Sequence, residues 1–340
     1  MTQIDRERMH RLAPVINALP GEPVPYYLAS GEGERHEVDG QLVTVVARTQ
    51  DTGGLFEAAF ILGSAGAHST GSALDAVQRS FFVVDGSVQV TVAGTSRILS
   101  QGDSFHVAPG ESLEYRMLGH MTRLFLFSAP GGALADLLAG AARTERHLFT
   151  MDSLNPGDLQ LPEGIDAAAS LDLPAGGGGY FLSAGGGEHR AWPDALNSYL
   201  ARPANTGGRY FAVNTLAAVQ PYIIRHFHRL HTENFICLSG RVWLWVNGHE
   251  VLLTAGDFLH APAGTVHSFA IGAHNTQMLG LLTGGVFEKF FDVTSEPTQA
   301  PVYSEGLVDP STVIAGIQAN PDLDLQVVGP PPERTLAPGL

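Results

Sequence analysis

The sequence predicts an all-β protein built from two tandem jelly-roll β-barrels with a few short flanking helices. The chain has 340 residues, including 40 glycines and 21 prolines, and this composition favours many short strands joined by tight turns. Its length is typical of about two domains. An internal repeat describes a duplicated unit of the common domain size, about 100–150 residues. Repeated short strands with little helix are typical of the jelly-roll barrel.

The repeat begins where Tyr27–His36 matches Tyr180–His189, and after one inserted residue it continues at a constant offset of 154 residues. At this offset, Gly102-Asp103 aligns with Gly256-Asp257. The runs FFVVDGSVQVTVAG in the first copy and FICLSGRVWLWVNGHEVLL in the second alternate between apolar and polar residues, with Gly or Asn at the turns. Both runs therefore predict consecutive antiparallel strands.

The repeat and the composition of the remaining chain predict five segments. In chain order they are an N-terminal arm with a short amphipathic helix (1–25), an N-terminal barrel (26–145), a Pro- and Gly-rich linker (146–178), a C-terminal barrel (179–303), and a C-terminal helix followed by a Pro-rich tail (304–340). The helix of the last segment is predicted over Ser311–Gln318.

Charge and cysteine content exclude several classes of protein. The net charge of −15 argues against nucleic acid and anionic membranes as partners, since both would repel the chain. Cys237 is the only cysteine, so no intrachain disulfide can form. The N-terminal MTQIDRERMHRL is charged where a signal peptide is apolar, and no run approaches the length of a membrane span. We expect a soluble cytoplasmic protein.

The run RHFHRLHTENFICLSG places His226, His228 and Glu233 in a His-x-His-x4-Glu spacing, and His267 follows in GDFLHAPAGTVH. Side chains two residues apart on a strand point to the same face, so the first two histidines project together. Glu233 joins them if a turn separates it from their strand. Three imidazoles and one carboxylate are ligands for first-row transition metals. The alternative is a set of surface histidines, because the chain has 14, but spacing, strand phase and turn residues together favour a metal site.

The first copy lacks this motif. The 154-residue offset places Ser72, Leu74, Arg79 and Leu113 at the positions of His226, His228, Glu233 and His267. Leucine cannot bind a metal, and arginine is a fixed cation that would repel one. The other histidines of this copy that could assemble a site, His68, His106 and His120, have no carboxylate at ligand spacing. We therefore expect a metal-free N-terminal barrel with a structural or dimer-forming role, and a homodimeric protein.

The HxHx4E run followed by GDxxxxPxGxxH resembles the cupin superfamily in its two-barrel form. More narrowly, HFHRLHTENFICLSGRVWLW followed by GGVFEKFFDVTS is similar to the bicupin quercetin 2,3-dioxygenases, and the resemblance covers about residues 25–300. It implies that His226, His228 and His267 are neutral ligands and that Glu233 binds the metal and accepts a proton. It also implies that His231 binds no metal. The implied cofactor is one divalent transition metal per chain, with Fe, Mn, Ni, Co and Cu all compatible with this ligand set.

The resemblance further implies a metal-dependent dioxygenase that opens the ring of a flavonol or similar enolic aromatic with O2. In the family reaction, carbon monoxide leaves with a depside product. Burial is expected to raise the pKa of Glu233 so that it can take the hydroxyl proton near neutral pH. One departure is that the fungal quercetinases keep their metal in the N-terminal barrel, whereas here only the C-terminal barrel carries the motif.

The substrate pocket is predicted from strand phase with the ligands. The residues on the same faces are Tyr222, Ile224, Phe235, Cys237 and Phe269. Such an apolar and aromatic lining would suit a small flat aromatic substrate, and the alternative is that these residues are barrel core. Two other functions stay open: a metal-dependent cupin isomerase, lyase or cyclase acting on a natural-product intermediate, and a non-catalytic binding or storage bicupin.

Overall fold

The structure is a computed structural model that describes residues 15–150, 169–306 and 311–335. The elements of the first half are β1 (Tyr26–Leu28), β2 (Glu34–Val38), β3 (Gln41–Ala47), β4 (Glu57–Gly63), β5 (His68–Gly71), β6 (Gln78–Asp85), β7 (Ser87–Val92), β8 (Thr95–Ser100), β9 (Ser104–Val107), β10 (Leu113–Met117), β11 (Thr122–Ala129), α1 (Ala133–Leu137) and β12 (Ala142–Arg143).

The second half repeats this order. Its elements are β13 (Tyr180–Leu182), β14 (Glu188–Trp192), β15 (Ala195–Ala201), β16 (Tyr210–Ala217), β17 (Arg225–Phe227), β18 (Glu233–Ser239), β19 (Val242–Val246), β20 (His249–Leu253), β21 (Phe258–Ala261), β22 (His267–Ile271), β23 (Thr276–Thr283), α2 (Glu288–Thr294), β24 (Glu296–Pro297), α3 (Ser311–Ala319) and β25 (Gln326–Gly329).

The described chain divides into two compact units. The N-terminal barrel comprises Gly31–Gly187 and Ala204–Gly207, and the C-terminal barrel comprises Glu188–Pro203, Gly208–Leu340 and the described part of Met1–Ser30. Within the described residues, each unit contains one eight-stranded sheet and one smaller sheet, of four strands in the N-terminal barrel and five in the C-terminal barrel. All strand pairs in these sheets are antiparallel. The predicted all-β fold of two barrels with short helices is confirmed.

Two strands lie outside the barrel to which the sequence assigns them. β1 pairs with β21 of the C-terminal barrel through Tyr26 opposite His260, and β13 pairs with β9 of the N-terminal barrel through Tyr180 opposite His106. The sequence-based division places both strands one barrel away. The local pattern identifies an extended segment, but the sheet edge that it joins depends on which unpaired backbone groups are free to accept it.

The repeated Gly-Asp pairs explain how β1 and β13 are held against the barrels that they join. In both Gly102-Asp103 and Gly256-Asp257 the glycine adopts a left-handed turn conformation, with φ of 90° and 92°, which glycine enters without steric cost. The carboxylate of Asp257 accepts a hydrogen bond from the amide of Ser30 at 2.8 Å. The carboxylate of Asp103 accepts one from the amide of Ala184 at 2.6 Å. The same motif therefore anchors the incoming segment in each barrel.

The barrel cores follow from strand alternation. In β7, residues 88, 90 and 92 are buried while the residues between them are only partly buried, as expected for a strand with one face towards a core. The C-terminal core includes Phe235, Leu244, Leu259 and Met278.

Among the described residues, none of the helices is long and apolar enough to cross a membrane.

Candidate metal centre

The two sheets of the C-terminal barrel bring the four predicted metal ligands together. His226 on β17 lies directly opposite His267 on β22, and Glu233 is the first residue of β18 in the other sheet. His228 follows immediately after β17. The residues from 229 to 232 connect β17 to β18, so the turn that the spacing required is present.

The ligand atoms converge on one point. His267 Nε2 lies 3.0 Å from Glu233 Oε2, and His228 Nε2 lies 3.3 Å from Glu233 Oε1. The imidazole centres of His226 and His267 are 4.4 Å apart, and one ligand atom from each of the four residues lies within 4.8 Å of all the others. Ligand atoms at about 2 Å from a common ion would lie about 3 Å from one another. The buried cluster therefore has the dimensions of a divalent metal site.

The outer ring nitrogens set the tautomers of the three histidines. Each Nδ1 lies next to a backbone carbonyl: His226 next to Ile224 at 3.0 Å, His267 next to Thr265 at 3.0 Å, and His228 next to Asp324 at 2.5 Å. Each Nδ1 must carry the proton and donate it, which leaves Nε2 unprotonated and directed at the centre. His228 Nε2 is buried and has no hydrogen-bond partner among the described residues. A metal ion would supply the missing partner.

Burial and mutual proximity control the charges of these residues. Burial, reinforced by the neighbouring imidazoles, lowers the pKa of His226 well below its usual value, and burial lowers the pKa of His228 to about 4. Burial alone would raise the pKa of Glu233, but His228, His231 and His267 outweigh it and lower that pKa well below the usual value. The expectation of a raised pKa at Glu233 was therefore wrong. At neutral pH, His226 and His228 are therefore neutral and Glu233 is ionised, the forms that bind a metal.

The lowered pKa of His228 makes the stability of the metal-free protein depend on pH. An unfolded histidine binds a proton below about pH 6.5, whereas His228 in the folded protein stays neutral down to about pH 4. Lowering the pH from 7 to 5 therefore favours the unfolded state. We expect urea unfolding of the metal-free protein to give a lower free energy of unfolding at pH 5 than at pH 7. The loss should be smaller in His228→Gln, and an equal loss in both proteins would contradict this assignment.

His231 lies beside the four ligands but is held by a different residue. Its Nδ1 lies 2.8 Å from Asp324 Oδ2, and its Nε2 lies 3.7 Å from Glu233 Oε1. Burial opposes protonation of His231, but the two carboxylates raise its pKa above the usual value. Together with His228 and Asp324 it forms a second group of potential ligands. Asp324 was absent from the sequence-based site, because it lies in the C-terminal segment without any motif around it.

The strand registers show what replaces the ligands in the N-terminal barrel. Leu113 pairs with Val92 as His267 pairs with Val246, and Arg79 pairs with Val107 as Glu233 pairs with Ala261. The amide of Gly110 bonds to the carbonyl of Leu74 as that of Gly264 bonds to the carbonyl of His228. The offset is therefore correct at these three ligand positions. At the fourth, the residue opposite Leu113 is Gly71 and not Ser72, so β5 is shifted by one residue.

In the N-terminal barrel, the residues at and near the position that corresponds to Glu233 make structural contacts. Arg79 is buried and donates from Nη2 to the carbonyl of Glu111 at 2.9 Å. His106 lies 2.8 Å from the side-chain oxygen of Gln78 and stacks on Tyr180 at 5.1 Å. No group of three or more potential metal ligands lies among the described residues of this barrel.

A cavity of about 110 Å³ opens at the metal centre, where His226 and Glu233 form part of its wall. Three of the predicted pocket residues, Ile224, Phe235 and Phe269, line it, whereas Tyr222 and Cys237 do not. Cys237 lies fully buried in the barrel core, and burial raises the pKa of its thiol to about 12. Tyr222 precedes β17, where strand alternation does not apply, and its hydroxyl donates to Glu250 at 3.0 Å.

Aromatic residues that strand phase could not predict form much of the remaining wall. They come from β14 and from the segment that begins helix α2: Trp192, Phe287, Phe290 and Phe291. Phe287 lies 4.5 Å from the imidazole centres of both His228 and His231. The run GGVFEKFF is part of the sequence that resembles the quercetinases, but only the fold places it over the ligands. Val313 and Ile317 of α3 and Leu325 also contribute to the wall.

Comparisons with known proteins agree with this fold. A cupin domain model matches residues 215–280. The YlbA protein of Escherichia coli superposes with a TM-score of 0.56 at 12% identity over 82% of this chain and 96% of that one. A variant of the oxalate decarboxylase of Bacillus subtilis superposes with a TM-score of 0.53 at 12% identity over 84% of both chains. The protein is thus a two-barrel cupin with a candidate metal centre in its C-terminal barrel.

The relatives found by sequence narrow this class. The quercetin 2,3-dioxygenase of Bacillus subtilis (strain 168) is 32% identical over 306 residues, which cover 84% of this chain and 90% of that protein. The quercetin 2,3-dioxygenase of Aspergillus japonicus is 35% identical over 74 residues, or 20% of this chain and 21% of that protein. The chain belongs to the same bicupin family as the quercetin 2,3-dioxygenase of Bacillus subtilis.

Proposed function

We propose that this protein is a metal-dependent dioxygenase of the quercetin 2,3-dioxygenase type, which opens the ring of a flavonol or a similar enolic aromatic with O2. The observation that carries the proposal is a complete His3Glu cluster, of which His226 and Glu233 line an aromatic cavity, in a relative of a protein of that name. The closeness of the relationship, 32% identity over 306 residues, supports a shared chemistry.

The proposed cofactor is one divalent transition metal per chain. The Nε2 atoms of His226, His228 and His267 and the carboxylate of Glu233 would bind it, because these atoms already converge in the forms that metals require. Such an ion supplies Lewis acidity and a template for bringing O2 and the substrate together. The protein supplies the binding, orientation and protection described next.

Glu233 is the proposed proton acceptor for the substrate hydroxyl. Its low pKa makes it a weak base, so it suits an acidic enolic hydroxyl better than an ordinary alcohol. His231 lies 3.7 Å from Glu233 Oε1 and would stabilise the carboxylate after the proton moves on.

The shape of the surroundings favours a flat substrate longer than one ring. Pockets that bury small organic ligands commonly measure about 300–1,000 Å³, whereas the cavity at the ligands is about 110 Å³. A second cavity of about 370 Å³ adjoins it, and the two share Trp192, Ile224, Val313 and Ile317 as walls. A flavonol-sized substrate would occupy both, with its enolic end at Glu233 and its far end beneath α3.

The direct test measures O2 consumption. Protein purified without oxygen is analysed for bound metal, loaded with Fe²⁺, Mn²⁺, Co²⁺, Ni²⁺ or Cu²⁺, and mixed with quercetin and related flavonols in an oxygen electrode. We expect one O2 consumed per flavonol lost, release of carbon monoxide and a depside of the corresponding mass. Activity should disappear with a chelator and return with metal.

Two outcomes would contradict the proposal. Turnover of a substrate under nitrogen would identify a metal-dependent isomerase, lyase or cyclase instead. A protein that binds flavonols but behaves the same with and without metal would be a binding bicupin.

A further inference from the structure

Asp324 makes four hydrogen bonds to the connection between the two ligand-bearing strands β17 and β18. Its carboxylate accepts bonds from the backbone amides of Arg229 and Leu230, each at 2.8 Å, and from Nδ1 of His231 at 2.8 Å. Its backbone carbonyl accepts the Nδ1 proton of His228 at 2.5 Å. Asp324 is 8% exposed. One residue from the C-terminal segment therefore contacts every residue from 228 to 231.

The residues that follow Asp324 in the C-terminal segment also form part of the wall of the metal centre. β25 pairs with β17, with Val327 opposite His226 and Gln326 opposite Phe227. Leu325 lines the cavity at the ligands. The strand that bears His226 therefore lies between β22 and β25, and its position depends on the docking of the segment.

The bond from His231 to Asp324 fixes the direction of a second buried nitrogen. The imidazole of His231 packs against the imidazole of His228, 4.1 Å away, and against the phenyl ring of Phe287, 4.5 Å away. Its Nε2 has no hydrogen-bond partner among the described residues and faces Glu233 Oε1 at 3.7 Å. Without a fixed Nδ1, rotation of this ring would replace that nitrogen with carbon.

We propose that Asp324 is a positioning residue of the metal centre, which holds residues 228–231 so that His228 Nε2 and Glu233 face the bound ion. Docking of the C-terminal segment and metal binding are thereby coupled, and the coupling acts equally in both directions. The inference rests on the metal binding proposed above. Outer partners of ligands generally contribute about 10–100-fold to metal affinity, and Asp324 serves one ligand directly and the adjoining turn as a whole.

The test compares Asp324→Asn and Asp324→Ala with the matched control Asp322→Asn. Asp322 is an exposed aspartate two residues away, and its carboxylate pairs with Lys289 at 2.7 Å. Zn²⁺ is titrated into the metal-free full-length proteins by calorimetry. We expect both Asp324 variants to bind Zn²⁺ about 10–100-fold more weakly and the control to match the wild type. Thermal unfolding of the metal-free proteins identifies any variant that fails to fold.

A second measurement follows the coupling in the wild-type protein, so it does not depend on any variant folding. Zn²⁺ is expected to slow hydrogen exchange at the amides of Arg229 and Leu230, since a bound ion would stabilise the segment that Asp324 anchors. Nitrogen-15 spectra should show a protonated Nδ1 on His231 in the wild type. In Asp324→Asn the amide NH2 can donate to that nitrogen, which would move the proton to Nε2.

The results separate the two proposals. Wild-type protein that binds Zn²⁺ while the Asp324 variants bind it within about threefold of the same affinity would overturn the positioning role and leave the metal centre intact. An equal loss in Asp322→Asn would also overturn it, as would unchanged exchange at Arg229 and Leu230. Wild-type protein that binds no divalent metal would overturn the metal centre itself.

Discussion

Replacing His228 with alanine is expected to remove both the metal and the activity. His228 is 2% exposed, and its Nε2 has no hydrogen-bond partner among the described residues, so alanine would leave an empty ligand position that solvent does not reach. Loss of an outer partner alone costs about 10–100-fold in metal affinity, and loss of a direct ligand should exceed that. Elemental analysis after dialysis and the rate of O2 uptake measure the two effects.

The control for this change is His249→Ala. His249 is an exposed histidine at the start of β20 in the same barrel, and its removal should leave metal content and activity unchanged. If His228→Ala kept a full complement of metal, the ligand set would be wrong, and the second cluster of His228, His231 and Asp324 could not be the alternative site either.

Glu233→Gln is expected to reduce activity more than metal content. The amide keeps an oxygen at the ligand position but cannot accept the substrate proton, and the loss of general base catalysis typically costs about 10²–10⁴-fold in rate. The neighbouring His231 also loses one of the carboxylates that raise its pKa. The measurement is kcat at saturating flavonol, divided by the metal content of each preparation.

The control is Glu296→Gln, which changes an exposed carboxylate on β24 of the same barrel. It should alter neither quantity. A metal-corrected kcat for Glu233→Gln within about threefold of the wild-type value would show that Glu233 only binds the metal, since proton transfer contributes far more than that in general acid–base catalysis.

The strands, the duplication and the convergence of the four candidate ligands could be predicted because short stretches of sequence carry the patterns that indicate them. Strand alternation, turn glycines and the spacing of His226, His228 and Glu233 depend on residues a few positions apart. The comparison of the two copies was equally informative, since Arg79 and Leu113 occupy the strand positions of Glu233 and His267. Among the four ligand positions, the 154-residue offset failed only at β5. The one-residue shift of this strand cannot be read from its sequence.

Strands β1 and β13 were assigned to the wrong barrels for a different reason. Their sequences predict extended backbone correctly, but pairing with β21 and β9 joins segments that are far apart in the chain. An extended segment can complete any open sheet edge that presents free amides and carbonyls. The choice between edges is made by the whole fold.

Chemistry at the site divides in the same way. The residue types and their spacing were enough to identify which side chains can bind a metal, because three of the four lie within one run of eight residues and His267 follows in a turn segment with Gly and Pro. The lowered pKa of Glu233, the phenylalanine wall from α2 and the contacts of Asp324 arise from residues brought together over long distances in the chain. Electrostatic fields and packing act through space, so only the tertiary structure could decide them.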